Sequence, residues 1–182
     1  MTQASERCRK QWFVMRDLKR RNSNSLAIDE LQQAGFEAFT PMRQMLITIG
    51  RRQQRRTVPV IQDLLFVHET KERLDSFVDR CRTLQYRYLF GQTKDNPMTV
   101  RDDEMQRFIL AVGKTESPIF YKSGEITRAM LGKKVRVIGG LLDGFEGNLL
   151  AVKGMRKRRL MVEITGLVTA AVEVEPEFIE LI

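Results

Sequence analysis

Three rhythms of apolar and polar residues succeed one another along this chain. Residues 11–15 (QWFVM) form a short apolar run that predicts a strand. The polar, basic stretch RDLKRRNSNS follows and ends in helix-capping residue types. Ser25 is the predicted cap for LAIDELQQAG, in which Ala27, Leu31 and Ala34 share one helical face and Gly35 is a natural stop. FEAFTPMR reads as a strand broken at Pro41. Residues 44–57 read as a hairpin: MLITI is β-prone, Gly50 allows the turn, and Arg51, Arg52, Arg55 and Arg56 follow. In VPVIQDLLFVH the run LLFV has the character of a buried strand, and Pro59 keeps its start out of a central strand position. Residues 71–82 carry Leu74, Phe77, Val78 and Cys81 at helical spacing. YRYLFG reads as a strand and QTKDNPMT as a loop. Residues 102–113 repeat the helical period with Met105, Phe108, Ile109 and Val112, and Asp102, Asp103 and Glu104 suit the positive end of that helix.

Residues 114–130 have no firm period and read as a linker with a short apolar patch, SPIFY. From 131 the period is two, through VRV, GNLLAV, RRLMVEI and TAAVEVEP. The expected organisation is an α+β domain over 1–113, a linker over 114–130 and a small all-β domain over 131–182. In the last part Val135 and Val137 alternate with Lys134 and Arg136. Gly139–Gly140 permits a sharp turn with positive φ, and Gly144 and Gly147 permit a bulge or a close backbone approach. Kinks of this kind let a short five-stranded barrel close.

Charge adds a partner class. The 182 residues carry 31 Lys/Arg against 23 Asp/Glu, a net +8. A basic chain of this size commonly meets nucleic acid or a nucleoprotein machine. Residues 131–182 hold eight Lys/Arg and seven Asp/Glu, a net +1, which leaves 23 against 16, a net +7, to residues 1–130. The electrostatic partner is therefore expected at the first domain.

Catalytic and metal chemistry find little to work with. Cys8 and Cys81 stand far apart, form no CxxC, and supply neither a zinc set nor a disulfide framework, so a reducing cytoplasm is the default. The start, MTQASERCRKQW, lacks the apolar core of a signal peptide, and no apolar run approaches a bilayer span. His68 is the only histidine, no phosphate-binding glycine loop occurs, and the carboxylates form no acid–base or metal pattern. The expectation is a non-enzyme with no cofactor and no metal.

Gly132, Val135, Val137, Gly140, Gly144 and Gly147 together resemble the KOW motif of SH3-like barrels in elongation factors and ribosomal proteins. The first domain then resembles the NusG family. It has the aromatic strand Trp12-Phe13-Val14, a helix, a hairpin with a basic turn, LLFV where the family has YVLV, a second helix, Phe90-Gly91, and Pro97-Met98-Thr99 before a last helix. WFVMRDL and VPVIQDLLFVH resemble the UpxY-type antiterminators of Bacteroidetes, specialised NusG paralogues acting on surface-polysaccharide operons. The resemblance implies a ferredoxin-like αβ sandwich followed by an SH3-like five-stranded KOW barrel. It also implies a cytoplasmic, monomeric factor that binds RNA polymerase and suppresses pausing and termination. Three departures stand out: Ile61-Gln62-Asp63-Leu64 for the family's F-P-G-Y, Leu141-Leu142 for Pro-Phe, and Thr165 through Ala170 for F-G-R-x-T-P. The last removes an aromatic and an arginine used for Rho and ribosomal contacts.

By resemblance, Trp12, Phe13, Val60 and Ile61 form an apolar patch for the polymerase clamp helices; core packing is the competing reading for the two aromatics. By the same resemblance Lys19, Arg20, Arg21 and Arg82 match positions that reach the non-template DNA strand, with the nascent RNA leader as the alternative nucleic acid and a solvated charge run as the competing reading for each. Arg51, Arg52, Arg55 and Arg56 would approach upstream DNA or the polymerase gate. No aromatic interleaves them, which argues against base stacking. Arg156, Lys157, Arg158 and Arg159 read as a polar hairpin tip, with RNA or a ribosomal protein as a lesser option. Two other functions compete: a KOW-containing RNA- or ribosome-binding module, which the near-neutral last domain disfavours, and a small enzyme, which the missing site chemistry disfavours.

Overall fold

A computed structural model describes residues 9–19, 25–49, 51–89, 91 and 96–182. The expectations for Cys8, Arg20, Arg21, the Gly50 turn and Phe90 lie outside these described residues. The chain divides into two units, Met1–Asp102 and Asp103–Ile182.

The first unit is built on strands β1 (Gln11–Asp17), β2 (Glu37–Phe39), β5 (Leu65–Glu69) and β6 (Leu84–Tyr86), ordered β2-β5-β1-β6, with β7 (Thr99–Val100) also paired to β1. Every pairing in it is antiparallel. Successive strand residues face opposite ways, so the odd positions of β1 and β5 share one face. Phe13, Met15, Leu65 and Val67 pack there against Ala27, Ile28 and Leu31 of α1 (Ala27–Gln33) and Leu74 of α2 (Lys71–Val78). Trp12, Val14 and Phe66 are the even positions and are buried as well. The helix predicted through residue 82 ends earlier, yet Cys81 still packs against the same core.

The predicted cap at Ser25 is displaced by one residue. Leu26 is the capping position; its N–H donates to Asp29 Oδ2 at 3.2 Å, and the Ala27 N–H donates to Asp17 Oδ2 at 3.2 Å. The Ser25 hydroxyl instead joins Glu30 and Lys19, each at 3.2 Å.

Strands β3 (Met42–Ile49) and β4 (Arg52–Pro59) form a separate two-stranded sheet. Eight residue pairs run without interruption from Met42↔Pro59 to Ile49↔Arg52. Val60 N–H donates to Pro41 C=O at 2.8 Å and closes its base.

The second unit holds α3 (Asp102–Gly113, from Asp103 on) and six strands, β8 (Ile119–Lys122), β9 (Leu131–Val137), β10 (Glu146–Leu150), β11 (Arg159–Ile164), β12 (Val168–Glu173) and β13 (Ile179–Leu181). Their order is β13-β9-β10-β11-β12-β8. This corrects the expected five-stranded closed barrel: there are six strands, and among the described residues no pairing joins β13 to β8. The extra strand lies in the segment expected to be a linker. Residues 119–122 pair with 168–171, and Ile119 and Tyr121 pack against buried Leu150, Met161 and Ala171. Within this unit Arg107 lies over the Phe145 ring at 4.9 Å, and Glu104 Oε1 accepts the Thr165 N–H at 2.6 Å.

The glycines of 132–147 serve two different needs. A Cβ on Gly147 would meet the Met161 carbonyl oxygen at 2.8 Å, so two backbones approach where only hydrogen fits. Gly140 has φ +71 and lies against the Phe178 ring, in the turn that follows buried Val135 and Val137.

Candidate nucleic-acid interface

Five arginines and no carboxylate lie between Glu37 and Asp63. All five belong to the β3–β4 ribbon, and all are exposed: Arg43, Arg51, Arg52, Arg55 and Arg56. Among the described residues none of them has an ion-pair partner. The ribbon register assigns them to faces. Arg43, Met45, Arg52, Gln54 and Arg56 share one face, since Arg43 pairs with Val58, Met45 with Arg56 and Ile49 with Arg52. Gln44, Leu46, Thr48, Gln53, Arg55 and Thr57 share the other. Arg43 escaped the sequence reading because the hairpin was expected to begin at 44; the register supplies it.

Arg82 is exposed, and Thr83 C=O accepts the Leu18 N–H at 2.8 Å, which brings Arg82 to the end of β1 beside Lys19. Lys19 itself is committed within the protein. Its ammonium donates to Glu30 Oε1 and, at 3.2 Å, to Ser25, and its side chain is only 13% exposed. The pairing holds the Glu30 carboxyl below the usual carboxylate range, through the Lys19 hydrogen bond above all.

The four apolar positions do not assemble into one exposed patch. Trp12 and Phe13 are 3% and 2% exposed and sit on opposite sheet faces. Phe13 meets Tyr86 edge-on at 5.6 Å, and Trp12 stacks on His68 at 4.9 Å. Val60 and Ile61 are half-buried in the turn before Leu64, beyond the Met15↔Leu65 end of the strand pair, whereas Trp12 pairs near its other end. In that turn Asp63 Oδ2 binds Arg87 at 2.8 Å and Arg16 at 3.7 Å.

Residues 10–109 match the family NusG, described as transcription termination factor nusG. The chain belongs to the NusG family. The NusG match therefore covers the whole β1–β7 sheet and the arginine ribbon, and ends inside α3. No curated protein sequence matches the chain. A solved structure titled "Domain interaction in Thermotoga maritima NusG" is similar at 17% identity, over 96% of this chain and 98% of that one, with a TM-score of 0.45. Among the described residues no group of three His, Cys, Asp or Glu is placed to hold a metal ion.

Proposed function

We propose that this NusG-family chain is an operon-specific elongation and antitermination factor. It binds bacterial RNA polymerase at the clamp helices, suppresses pausing, and lets transcription pass terminators in surface or capsular polysaccharide operons, as UpxY-type paralogues do. No covalent step is required; preference for the elongating state of the polymerase suffices. The observation that carries the reading is the family match over residues 10–109 together with an uncompensated five-arginine ribbon inside that span.

The strand order β2-β5-β1-β6 supports a ferredoxin-like sandwich for the first unit, and the glycine contacts support a KOW character for the second. Val60 and Ile61 are the predicted clamp-binding residues left partly open, whereas Trp12 and Phe13 are sheet core. Arg82 and the ribbon arginines serve nucleic acid. A second reading, RNA or ribosomal-protein binding by the KOW domain, draws on Lys153, Arg156 and Arg158, exposed on the β10–β11 connection.

Terminator read-through in vitro tests the proposal, with a bacterial polymerase and a template carrying the native upstream leader. Wild-type protein should raise read-through, and Val60→Asp/Ile61→Asp should abolish the gain while the variant stays folded by far-ultraviolet circular dichroism. No read-through and no association with elongation complexes would overturn the proposal and favour the RNA-binding reading.

A further inference from the structure

The β3–β4 ribbon is one ladder of eight residue pairs, so it spans roughly 27 Å at about 3.4 Å per residue. Among the described residues it belongs to no other sheet, and its two faces differ. One carries three exposed arginines, Arg43, Arg52 and Arg56, with Gln54 between the last two on the same strand. The other carries a single arginine, Arg55, among Gln44, Thr48, Gln53 and Thr57. We infer that the ribbon enters the major groove of duplex DNA with the Arg43–Arg52–Gln54–Arg56 face against the base edges. This rests on the nucleic-acid role assigned to the ribbon under the proposed function and deepens it.

Groove width, the lack of aromatic residues and the side-chain types on this face select duplex DNA. The B-DNA major groove is about 12 Å wide and admits a two-stranded β-ribbon, whereas the major groove of duplex RNA is too narrow for side chains to read. Sequence-tolerant grip on a single strand uses aromatic platforms, and residues 42–59 contain no aromatic residue. Arginine and glutamine are the side chains that pair bidentately with guanine and adenine edges, and Arg52, Gln54 and Arg56 recur at every second residue of one strand, roughly 7 Å apart. Met45, 38% exposed on the same face, offers an apolar contact for a thymine methyl. The absence of any carboxylate between Glu37 and Asp63 leaves these cations free to meet phosphate as well.

The test uses the full chain and three labelled oligonucleotides of one sequence, about 20 nucleotides per strand: duplex DNA, single-stranded DNA and duplex RNA. Binding is followed by fluorescence anisotropy across a salt series. Duplex DNA should bind at least about tenfold tighter than the other two. Arg52→Ala/Arg56→Ala should weaken duplex binding by at least about tenfold, and Arg55→Ala by clearly less. Selection from a randomised duplex pool should enrich a sequence with wild-type protein and lose that enrichment with Gln54→Ala or Arg52→Lys/Arg56→Lys. The lysine variant keeps the charge but not the bidentate fork. Equal or tighter binding of single-stranded DNA would overturn the assignment. So would an unchanged duplex affinity in Arg52→Ala/Arg56→Ala, which would direct the ribbon to an acidic protein surface. Binding of the same variants to polymerase free of DNA separates this inference from the proposed function. Polymerase binding without duplex preference sinks the groove assignment alone; duplex preference without polymerase binding sinks the proposed function alone.

Discussion

Trp12 and His68 lie directly opposite each other across β1 and β5, with their rings 4.9 Å apart and 17° from parallel. His68 Nδ1 is also 2.7 Å from Glu37 Oε2, and Nε2 is 3.8 Å from Asp102 Oδ1. Each ring is the only one of its residue type in the chain. Stacked aromatic pairs contribute about 0.5–1.5 kcal/mol beyond their burial. His68→Ala should therefore lower unfolding free energy by about 1 kcal/mol and change Trp12 emission in the folded state, both read in one fluorescence-detected denaturant titration.

Gly147 should tolerate no side chain. Gly147→Ala places a methyl group 2.8 Å from the Met161 carbonyl oxygen and should destabilise the second unit by about 1–3 kcal/mol. Gly113→Ala, where nothing lies within 4 Å and φ is not positive, should be neutral or slightly stabilising. Thermal unfolding of the two variants side by side distinguishes close approach from mere flexibility.

Acid stability should depend on Glu69. Burial pushes its carboxyl up. The Thr70 N–H at 2.9 Å, the Arg73 guanidinium and the Lys10 ammonium at 3.4 Å together outweigh that and leave it below the usual carboxylate range. A carboxyl held low in the folded state contributes stability above its unfolded pKa and loses it as pH falls through the folded pKa. The urea midpoint of wild-type protein should therefore fall below about pH 4. Glu69→Gln should lower stability at pH 7 by about 1–3 kcal/mol and flatten that acid limb.

Alkaline stability should depend on Tyr86. Burial raises its phenol above the ordinary range, and the hydroxyl's bond to Asp75 Oδ1 at 2.8 Å raises it further. The sign is opposite to that of Glu69: the contribution is intact below about pH 10 and is lost as pH climbs towards the folded pKa. Tyr86→Phe should cost about 1 kcal/mol at pH 7 and remove one late-titrating phenol from the ultraviolet absorbance titration.

Periodicity exposed most of this architecture because burial imposes it. Leu74, Phe77 and Val78 had to share a face, and LLFV had to be a central strand. Side-chain commitments between distant positions were hidden. Lys19 reads as a free cation until Glu30, on the next helix, is brought to it. Trp12 and Phe13 read as one patch, although a strand sends neighbours to opposite faces and this sheet buries both. Strand β8 was concealed for another reason. With four residues after Pro118 it is too short to display a period, and only its register with Val168–Ala171 defines it. The ribbon arginines were legible as a cluster, whereas their division between two faces required the register.

A two-stranded sheet has two unpaired edges, and both edges of the β3–β4 ribbon are open among the described residues. Such edges invite strands from other molecules, and like charges along them are a common protection. Mutual repulsion among the ribbon arginines thus guards against self-association, with Leu46, 62% exposed, as the segment most in need of it. Neutralising all five at once would create a template for ordered aggregation, and a polyanion that masks them without occupying the ribbon would do the same.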